Sequence, residues 1–155
     1  MKRTMIFLIM MALVMTASTA FAATATQSLT VSATVPNVCR ITSVTNVAFS
    51  TPYDTTDSAA NDSGQGDFSF RCTKGTNYDL YITGTRQMTN GTDNLNYLLY
   101  QEAGRTTLWP AAAPGVTGTA PSNAVITTGI YGRIPALQDV SVGNYSGTVT
   151  TTVEY

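Results

Sequence analysis

The stretch 28-SLTVSATV-35 alternates apolar and small polar residues over eight positions and is followed by Pro36. Side chains alternate between the two faces of a strand, so Leu29, Val31, Ala33 and Val35 would share one apolar face. The stretch therefore predicts a β-strand in the N-terminal part of the chain. A segment near a chain terminus is poorly ordered unless another element holds it, so this strand needs a groove, either its own or a neighbour's.

Residues 1–22 have the features of a secretory signal peptide. Lys2 and Arg3 form a basic start, residues 5–15 are an apolar run, and residues 20–22 form a small-residue cleavage site. A membrane anchor needs about 20 apolar residues, which this run does not reach. We expect cleavage after residue 22, which leaves an exported chain of one domain that is long enough to bury a core.

The charge balance argues against nucleic acid as a partner. Lys2 and Arg3 are two of the eight cations, so six isolated cations face nine acids beyond the signal peptide. Proteins that bind phosphate backbones or anionic lipids usually carry clustered positive charge, and the sequence shows no basic run.

Two cysteines, Cys39 and Cys72, lie in the exported chain. An even pair in an oxidising compartment is most simply one disulfide, and only one pairing exists. The alternative is a pair of free thiols with a redox or metal-binding role. That role needs a C-x-x-C spacing or nearby histidines, and the chain has no histidine. We therefore expect a Cys39–Cys72 disulfide, no metal site and no cofactor.

The exported chain is rich in threonine, which is stiff at its β carbon and favours strands, and no segment predicts a helix. Phe68, Phe70 and Cys72 alternate, and we expect them to share a face. The predicted strands are 28–35, 39–49, 66–72, 78–83, 95–102, 123–134 and 145–155. The turn signals lie at 61–66, 74–77, 89–94 and 109–123, and residues 110–121 within the last stretch predict a mobile surface loop. Short strands separated by such turns predict an all-β sandwich or barrel.

Residues that could carry catalysis or bind a ligand are scarce. The absence of histidine excludes Ser-His and Cys-His nucleophiles, and most of the acids lie in turns, where a solvated surface position is the ordinary interpretation. Asp54, Asp57 and Asp62 loosely suggest a calcium loop, but the twelve-residue pattern is missing. The sequence therefore predicts a secreted structural or binding module rather than an enzyme.

Three aromatic residues leave one binding alternative open. Tyr97, Tyr100 and Trp109 could form a platform on which a sugar stacks. However, Leu95, Tyr97 and Leu99 alternate as in a strand, which favours packing in the core.

The segment 145-YSGTVTTTVEY-155 is also amphipathic. Val149, Thr151, Val153 and Tyr155 would share one face. We expect no strand to follow this one in the chain, so a sandwich built with it would leave core and backbone groups exposed. An amphipathic strand supplied by a neighbour would fill such a gap by strand addition.

Three longer stretches carry a resemblance to a known family. They are 68-FSFRCTKGTNYDLYITG-84, 95-LNYLLYQEAGRTTLWP-110 and 130-IYGRIPALQDVSVGNYSGTVTTTVEY-155. Together with the spacing to Cys39, they resemble the spore coat protein U domain family, which includes subunits of archaic, Csu-type chaperone-usher pili. The most specific parts are residues 131–138 and 143–145. Relatives often carry Asp where this chain has Gly147.

The resemblance implies an incomplete immunoglobulin-like sandwich that is completed by donor-strand complementation. It also implies export through the periplasm, a periplasmic pilus chaperone, an outer-membrane usher and neighbouring pilin subunits as partners. On this basis we expect a signal peptide at 1–22, a donor-strand extension at 23–34 and a pilin domain at 35–155.

The leading hypothesis is thus a shaft or adaptor pilin with a role in surface adhesion and biofilm formation, because the chain leaves no room for a receptor domain. Leu29, Val31 and Ala33 would form the donor strand, and Val149, Thr151, Val153 and Tyr155 would belong to the acceptor strand. The alternatives are a non-polymerising spore-coat or surface protein of the same fold, and a carbohydrate-binding module.

Overall fold

A computed structural model describes residues 22–155, so the predicted signal peptide lies outside the described residues apart from Ala22. The strands over this range, in chain order, are β1 Cys39–Phe49, β2 Asn61–Cys72, β3 Asn77–Thr83, β4 Gln87–Thr89, β5 Asn94–Asn96, β6 Leu98–Tyr100, β7 Val116–Thr119, β8 Ile126–Ile134 and β9 Thr150–Glu154. The described range contains no helix that could cross a membrane. The all-β prediction is confirmed.

The described residues fall into two parts, a segment that ends at Ala33 and a compact unit, Thr34–Tyr155. The segment contains no strand, and its alternating side chains Leu29 and Val31 are each 87% exposed. The predicted strand at 28–35 is therefore absent from this structure.

The compact unit contains two main antiparallel sheets. The first has the strand order β1-β2-β8-β6 and the second the order β7-β3-β9, while β4 and β5 form a separate two-stranded ribbon. The central strand β2 carries Phe68 and Phe70, which are completely buried, and Cys72 is buried on the same face as predicted. Ser69 is also buried, and its hydroxyl lies 2.8 Å from that of Thr127 on β8, which satisfies both groups.

The buried core between the sheets is mostly aliphatic and aromatic. Leu80 and Ile82 of β3 meet Phe68, Phe70 and Ile130 of the first sheet within this cluster. Trp109 packs against Phe68 with ring centroids 5.9 Å apart. This packing is the main source of stability, because fully burying each large apolar side chain contributes about 1.5–3 kcal/mol.

The two ends of the unit can be named from its chain direction. Cys39 begins β1 and Cys72 ends β2, and they form a disulfide at what we call the disulfide pole. The turn 73–76 that leads into β3 lies at this end, because the Thr73 amide donates to the Val38 carbonyl at 2.9 Å. The opposite end, where residues 50–60 connect β1 to β2, is called the loop pole. The predicted disulfide is confirmed.

Several predicted boundaries were wrong. Strand β2 begins at Asn61, so the turn expected at 61–66 lies inside a strand that pairs with both β1 and β8. Two short strands, β5 and β6, replace the one predicted at 95–102. The loop expected at 110–121 contains β7, which pairs with β3 through the register Asn77↔Thr119 to Leu80↔Val116. In the first and third cases long-range pairing formed a strand where local turn residues had suggested a break, and in the second it divided a strand that the local pattern had predicted to be continuous.

Candidate functional site

The two main sheets are open along one side. Among the described residues, β1 pairs only with β2 and β9 only with β3, so each is an edge strand. A groove with a cavity volume of about 600 Å³ runs between these edges. Unpaired edges with an apolar cleft between them are a template for an added strand.

The wall formed by β1 is shaped by a β-bulge. The pairing of β1 with β2 shifts register between Thr45 and Ala48, and Val47 from this bulge lines the groove. A β carbon added to Gly66 on β2 would lie 2.6 Å from the Thr45 carbonyl oxygen, so glycine permits the close approach of the bulged backbone. Val44, just before the bulge, lines the groove and is 54% exposed.

The groove is lined at depth by apolar side chains from several strands. Tyr97, Leu99 and Ile130 are buried residues that line it, and Met88 is packed against the same core. Phe49, at the end of β1, completes this surface. It packs against paired glycines of β2 and β8, since a β carbon on Gly64 or Gly132 would lie 2.7 or 2.8 Å from the Phe49 ring. Glycine at these two positions therefore leaves the space that the Phe49 ring occupies in the apolar floor.

The opposite wall is formed by the segment before β9 and the first residues of β9. This segment is held against β4 by two backbone hydrogen bonds between Ser146 and Thr89, at 2.9 and 3.1 Å. The Tyr145 hydroxyl donates to the Ser141 carbonyl at 2.7 Å and accepts from the Asn90 amide at 3.0 Å. A β carbon on Gly147 would lie 2.5 Å from the Gln87 carbonyl oxygen, so this glycine brings the wall close to β4.

The structure separates the residues predicted for the acceptor strand. Val149 and Thr151 line the groove. Val153 is packed against the core opposite Leu80 of β3. Tyr155 lies beyond the end of β9, is 60% exposed and lines a different depression beside β7. Val149, just before β9, and Thr151 therefore face the groove, Val153 packs against the core, and Tyr155 is in neither place.

The residues predicted for the donor strand all lie in the segment that ends at Ala33. Leu29, Val31 and Ala33 are exposed there. Large apolar side chains that alternate and remain exposed have most of their surface still available for burial against another surface.

The groove also contains residues that the sequence analysis missed. Phe49, Val47 and Met88 line it, although the sequence offered no reason to place them beside Val149. The paired glycines at 64 and 132 were the available signal, because isolated glycines inside strand patterns mark close approaches of neighbouring groups. That signal does not reveal which strands are neighbours.

The alternative sugar platform is not present on the surface. Tyr97, Tyr100 and Trp109 are all buried, with at most 7% of each residue exposed. The Trp109 indole donates to the Gly129 carbonyl at 3.3 Å, which satisfies its polar group within the fold. The favoured prediction that these aromatic residues belong to the core is confirmed.

The acids that loosely suggested a calcium loop each have a local partner. The Asp54 carboxylate accepts from the Thr56 amide and hydroxyl at 2.8 and 2.7 Å. The Asp57 carboxylate accepts from the Ala59 amide at 2.9 Å. Within residues 22–155, no three metal-ligating side chains cluster together.

Asp62 instead belongs to an ion-pair network at the end of the first sheet. Its carboxylate accepts two hydrogen bonds from the Arg133 guanidinium at 2.6 and 2.7 Å, and these hold the pKa of Asp62 below its usual value. The same interaction raises the pKa of Arg133. Arg105 donates to the Gly132 carbonyl at 3.1 Å and to the Asp62 carbonyl, which ties the loop after β6 to β2 and β8.

The fold and the groove define the class of this protein. It is an all-β sandwich with one disulfide whose two sheets are not closed against each other along β1 and β9. The chain belongs to the Spore Coat Protein U domain family, whose model matches residues 25–152. No curated protein sequence matches the chain.

A solved structure shows the same fold. It is the crystal structure of the CsuC-CsuE chaperone-tip adhesion subunit pre-assembly complex from archaic chaperone-usher Csu pili of Acinetobacter baumannii. The similarity has a TM-score of 0.57 at 22% sequence identity and covers 79% of this chain. The match spans only 41% of the length of the other chain.

Proposed function

We propose that this protein is a structural subunit, a shaft or adaptor pilin, of a chaperone-usher pilus that polymerises by donor-strand exchange. The observation that carries the proposal is the apolar groove between the unpaired edges of β1 and β9. An extended strand in this groove would pair its backbone with one or both edges and bury alternate side chains against the floor. Family membership and the similarity to a chaperone-usher pilus structure support the same function.

The segment 23–34 is the proposed donor. Its alternation places Leu29, Val31 and Ala33 on one side, which is the pattern that a groove with one apolar floor selects. Leu29 and Val31 are exposed, so their burial in the groove of another subunit would contribute about 1.5–3 kcal/mol for each side chain.

Val149, Thr151 and Val153 would belong to the acceptor strand. We propose that their strand β9 and the β1 edge first bind a strand of a periplasmic pilus chaperone, and later the donor of the next subunit. The predicted role of Tyr155 in this surface is not retained, because its side chain is exposed outside the groove.

The remaining parts of the proposal concern partners and location. The subunit would pass through the periplasm, be delivered to an outer-membrane usher and reach the cell surface in a fibre that supports adhesion and biofilm formation. Its role would be structural rather than catalytic, and it would need no cofactor.

The decisive experiment uses a peptide as a competing donor. The exported chain, residues 23–155, should form multimers that resist detergent without heating. A synthetic peptide of residues 23–35 in excess should occupy the grooves and shorten these multimers. The same peptide with Leu29→Asp is the matched control and should have no effect.

The competing hypothesis, a non-polymerising coat protein, predicts a different result. If the segment 23–34 pairs within its own chain, deleting it should lower the melting temperature of a protein that is monomeric from the start. Multimers that the wild-type peptide leaves at full length would contradict donor-strand exchange.

A further inference from the structure

The positive charges of the described chain are unevenly distributed. Of the six cations, Arg86 donates to the Ile82 carbonyl at 2.8 Å, and Arg105 and Arg133 form the ion pairs with Asp62. The other three are exposed and line one cavity of about 580 Å³ at the disulfide pole: Arg40, Arg71 and Lys74. Neither of the two ion pairs found within residues 22–155 involves this basic cluster.

The loop pole carries the opposite charge. Residues 50–60 contain two acids, Asp54 and Asp57, and no cation, and both acids are exposed. Asp139 is exposed at the same pole, since the preceding Gln138 donates its backbone amide to the Tyr53 hydroxyl at 2.9 Å. We call Asp54, Asp57 and Asp139 the acidic group. Arg105 and Arg133 also lie at this pole but are paired with Asp62, and Glu154 at the disulfide pole accepts from the Tyr81 hydroxyl at 3.0 Å. The polarity along the strands therefore comes from the basic cluster and the acidic group.

The direction of β9 indicates which pole of one copy would meet which pole of the next. This step rests on the proposed function. Strand β3 leaves the disulfide pole at Asn77 and pairs antiparallel with β9, so β9 runs from the loop pole at Thr150 towards the disulfide pole. A donor strand antiparallel to β9 would run the other way and leave the groove at the loop pole. Its own domain begins immediately afterwards at Val35, which lines the cavity of the basic cluster.

The two orientations of the donor therefore have different electrostatic consequences. An antiparallel donor brings the basic cluster of one copy to the acidic group of the copy that accepts its strand. A parallel donor brings that basic cluster to the basic cluster of the accepting copy. Unlike charges favour association and like charges oppose it, so the charge distribution favours the antiparallel arrangement.

We propose that the basic cluster Arg40, Arg71 and Lys74 is a docking surface for the acidic group of a second copy of this chain. The charges are exposed and screened by salt, so they act mainly on the rate and orientation of encounter. The donor strand holds the two copies together afterwards. The surface thereby favours addition of the chain to its own kind, head to tail.

The chain offers a direct test, because Lys74 is the only lysine beyond Lys2. A zero-length carbodiimide joins a lysine amine to a carboxylate that it contacts. Multimers of residues 23–155, assembled from mixed isotope-labelled and unlabelled copies, should yield peptides in which Lys74 of one copy is joined to Asp54, Asp57 or Asp139 of another. Lys74→Arg keeps the charge and should remove these products while multimers still form.

Charge reversal tests the consequence for assembly. The pair Arg71→Glu and Lys74→Glu should slow multimer formation roughly tenfold at low salt, as steering charges of this kind do. Adding Asp54→Lys and Asp57→Lys to the same chain should restore the rate. An unchanged rate in the first variant would overturn the proposal.

The cross-linking outcomes separate this proposal from the proposed function. Multimers that form normally but join Lys74 between copies only to Glu154, at the disulfide pole, would refute the docking surface and leave strand exchange standing. Multimers in which Lys74 forms no cross-link to another copy would also refute the docking surface and leave strand exchange standing. A chain that never multimerises would refute the proposed function and this inference with it.

Discussion

Replacing Leu29 by Asp tests the donor strand with a change of one residue. Leu29 is 87% exposed, so the substitution removes almost no contact that the chain makes at present. We therefore expect the free energy of unfolding of the free subunit to change by no more than about 0.5 kcal/mol, as for other surface substitutions. The whole effect should appear in association between subunits.

The expected loss follows from what the leucine would bury. Inserting Leu29 into the groove would bury nearly the full side chain, which is a gain of about 1.5–3 kcal/mol. The floor formed by Phe49, Leu99 and Ile130 offers no cation to an aspartate at that position, so desolvation of the carboxylate adds a cost of about 1–3 kcal/mol or more. A total of about 4 kcal/mol lowers the association constant about a thousandfold.

The assay is the yield of detergent-resistant multimers as a function of subunit concentration. Thr30→Asp is the matched control, because it adds the same charge one position away on the opposite side of the strand and should retain most of the yield. Leu29→Met, which conserves volume, should be close to wild type. If Leu29→Asp and Thr30→Asp multimerise equally well, this segment does not insert with the alternation proposed.

Three further predictions concern the sandwich itself. Val149→Asp should abolish binding of the pilus chaperone in co-purification, because it places a charge in the groove wall, whereas Val142→Asp, at a fully exposed valine, should bind normally. Replacing both Cys39 and Cys72 by alanine should lower the free energy of unfolding in urea by about 3 to 4 kcal/mol, since the disulfide spans a sequence separation of 33 residues; an unchanged midpoint would contradict this. The pKa of the Asp62 carboxyl in the folded protein lies below 3.8, so the stability that this carboxylate contributes is present above that pH and is lost as the pH falls below it. Asp62→Asn should therefore lower the urea midpoint at pH 7 and have no effect on it at the acid end of the titration.

Much of the sandwich followed from local pattern. Phe68, Phe70 and Cys72 alternate in the sequence and are buried together, and the two cysteines had only one partner each. The prediction of β1 over 39–49 matches the observed strand at both ends. These features depend on the two-residue period of a strand and on the fact that two cysteines allow only one disulfide. Both can be read from the sequence alone.

The errors occurred where tertiary contacts outweighed local propensity. Residues 61–66 contain two glycines, Gly64 and Gly66, which favour a turn. They lie in a strand instead, because β2 pairs with β1 on one side and with β8 on the other. The strand predicted at 95–102 is divided because residues 94–96 pair with β4 and residues 98–100 pair with β8. Tyr155 was predicted to share the apolar face of the last strand. It is exposed, because β9 ends at Glu154.

The sequence by itself determined that residues 22–155 are all-β, that Cys39 and Cys72 pair, and that Leu29 and Val149 lie on apolar faces of amphipathic segments. Alternation with period two fixes which side chains share a face, but it contains no information about the element that a face meets. Only the tertiary structure brought Phe49, Gly64 and Gly132 to the same groove as Val149, and only it gathered Arg40, Arg71 and Lys74 around one cavity at the disulfide pole. The reason is that sheet order and strand direction depend on pairings between residues far apart in the chain, which local sequence does not encode.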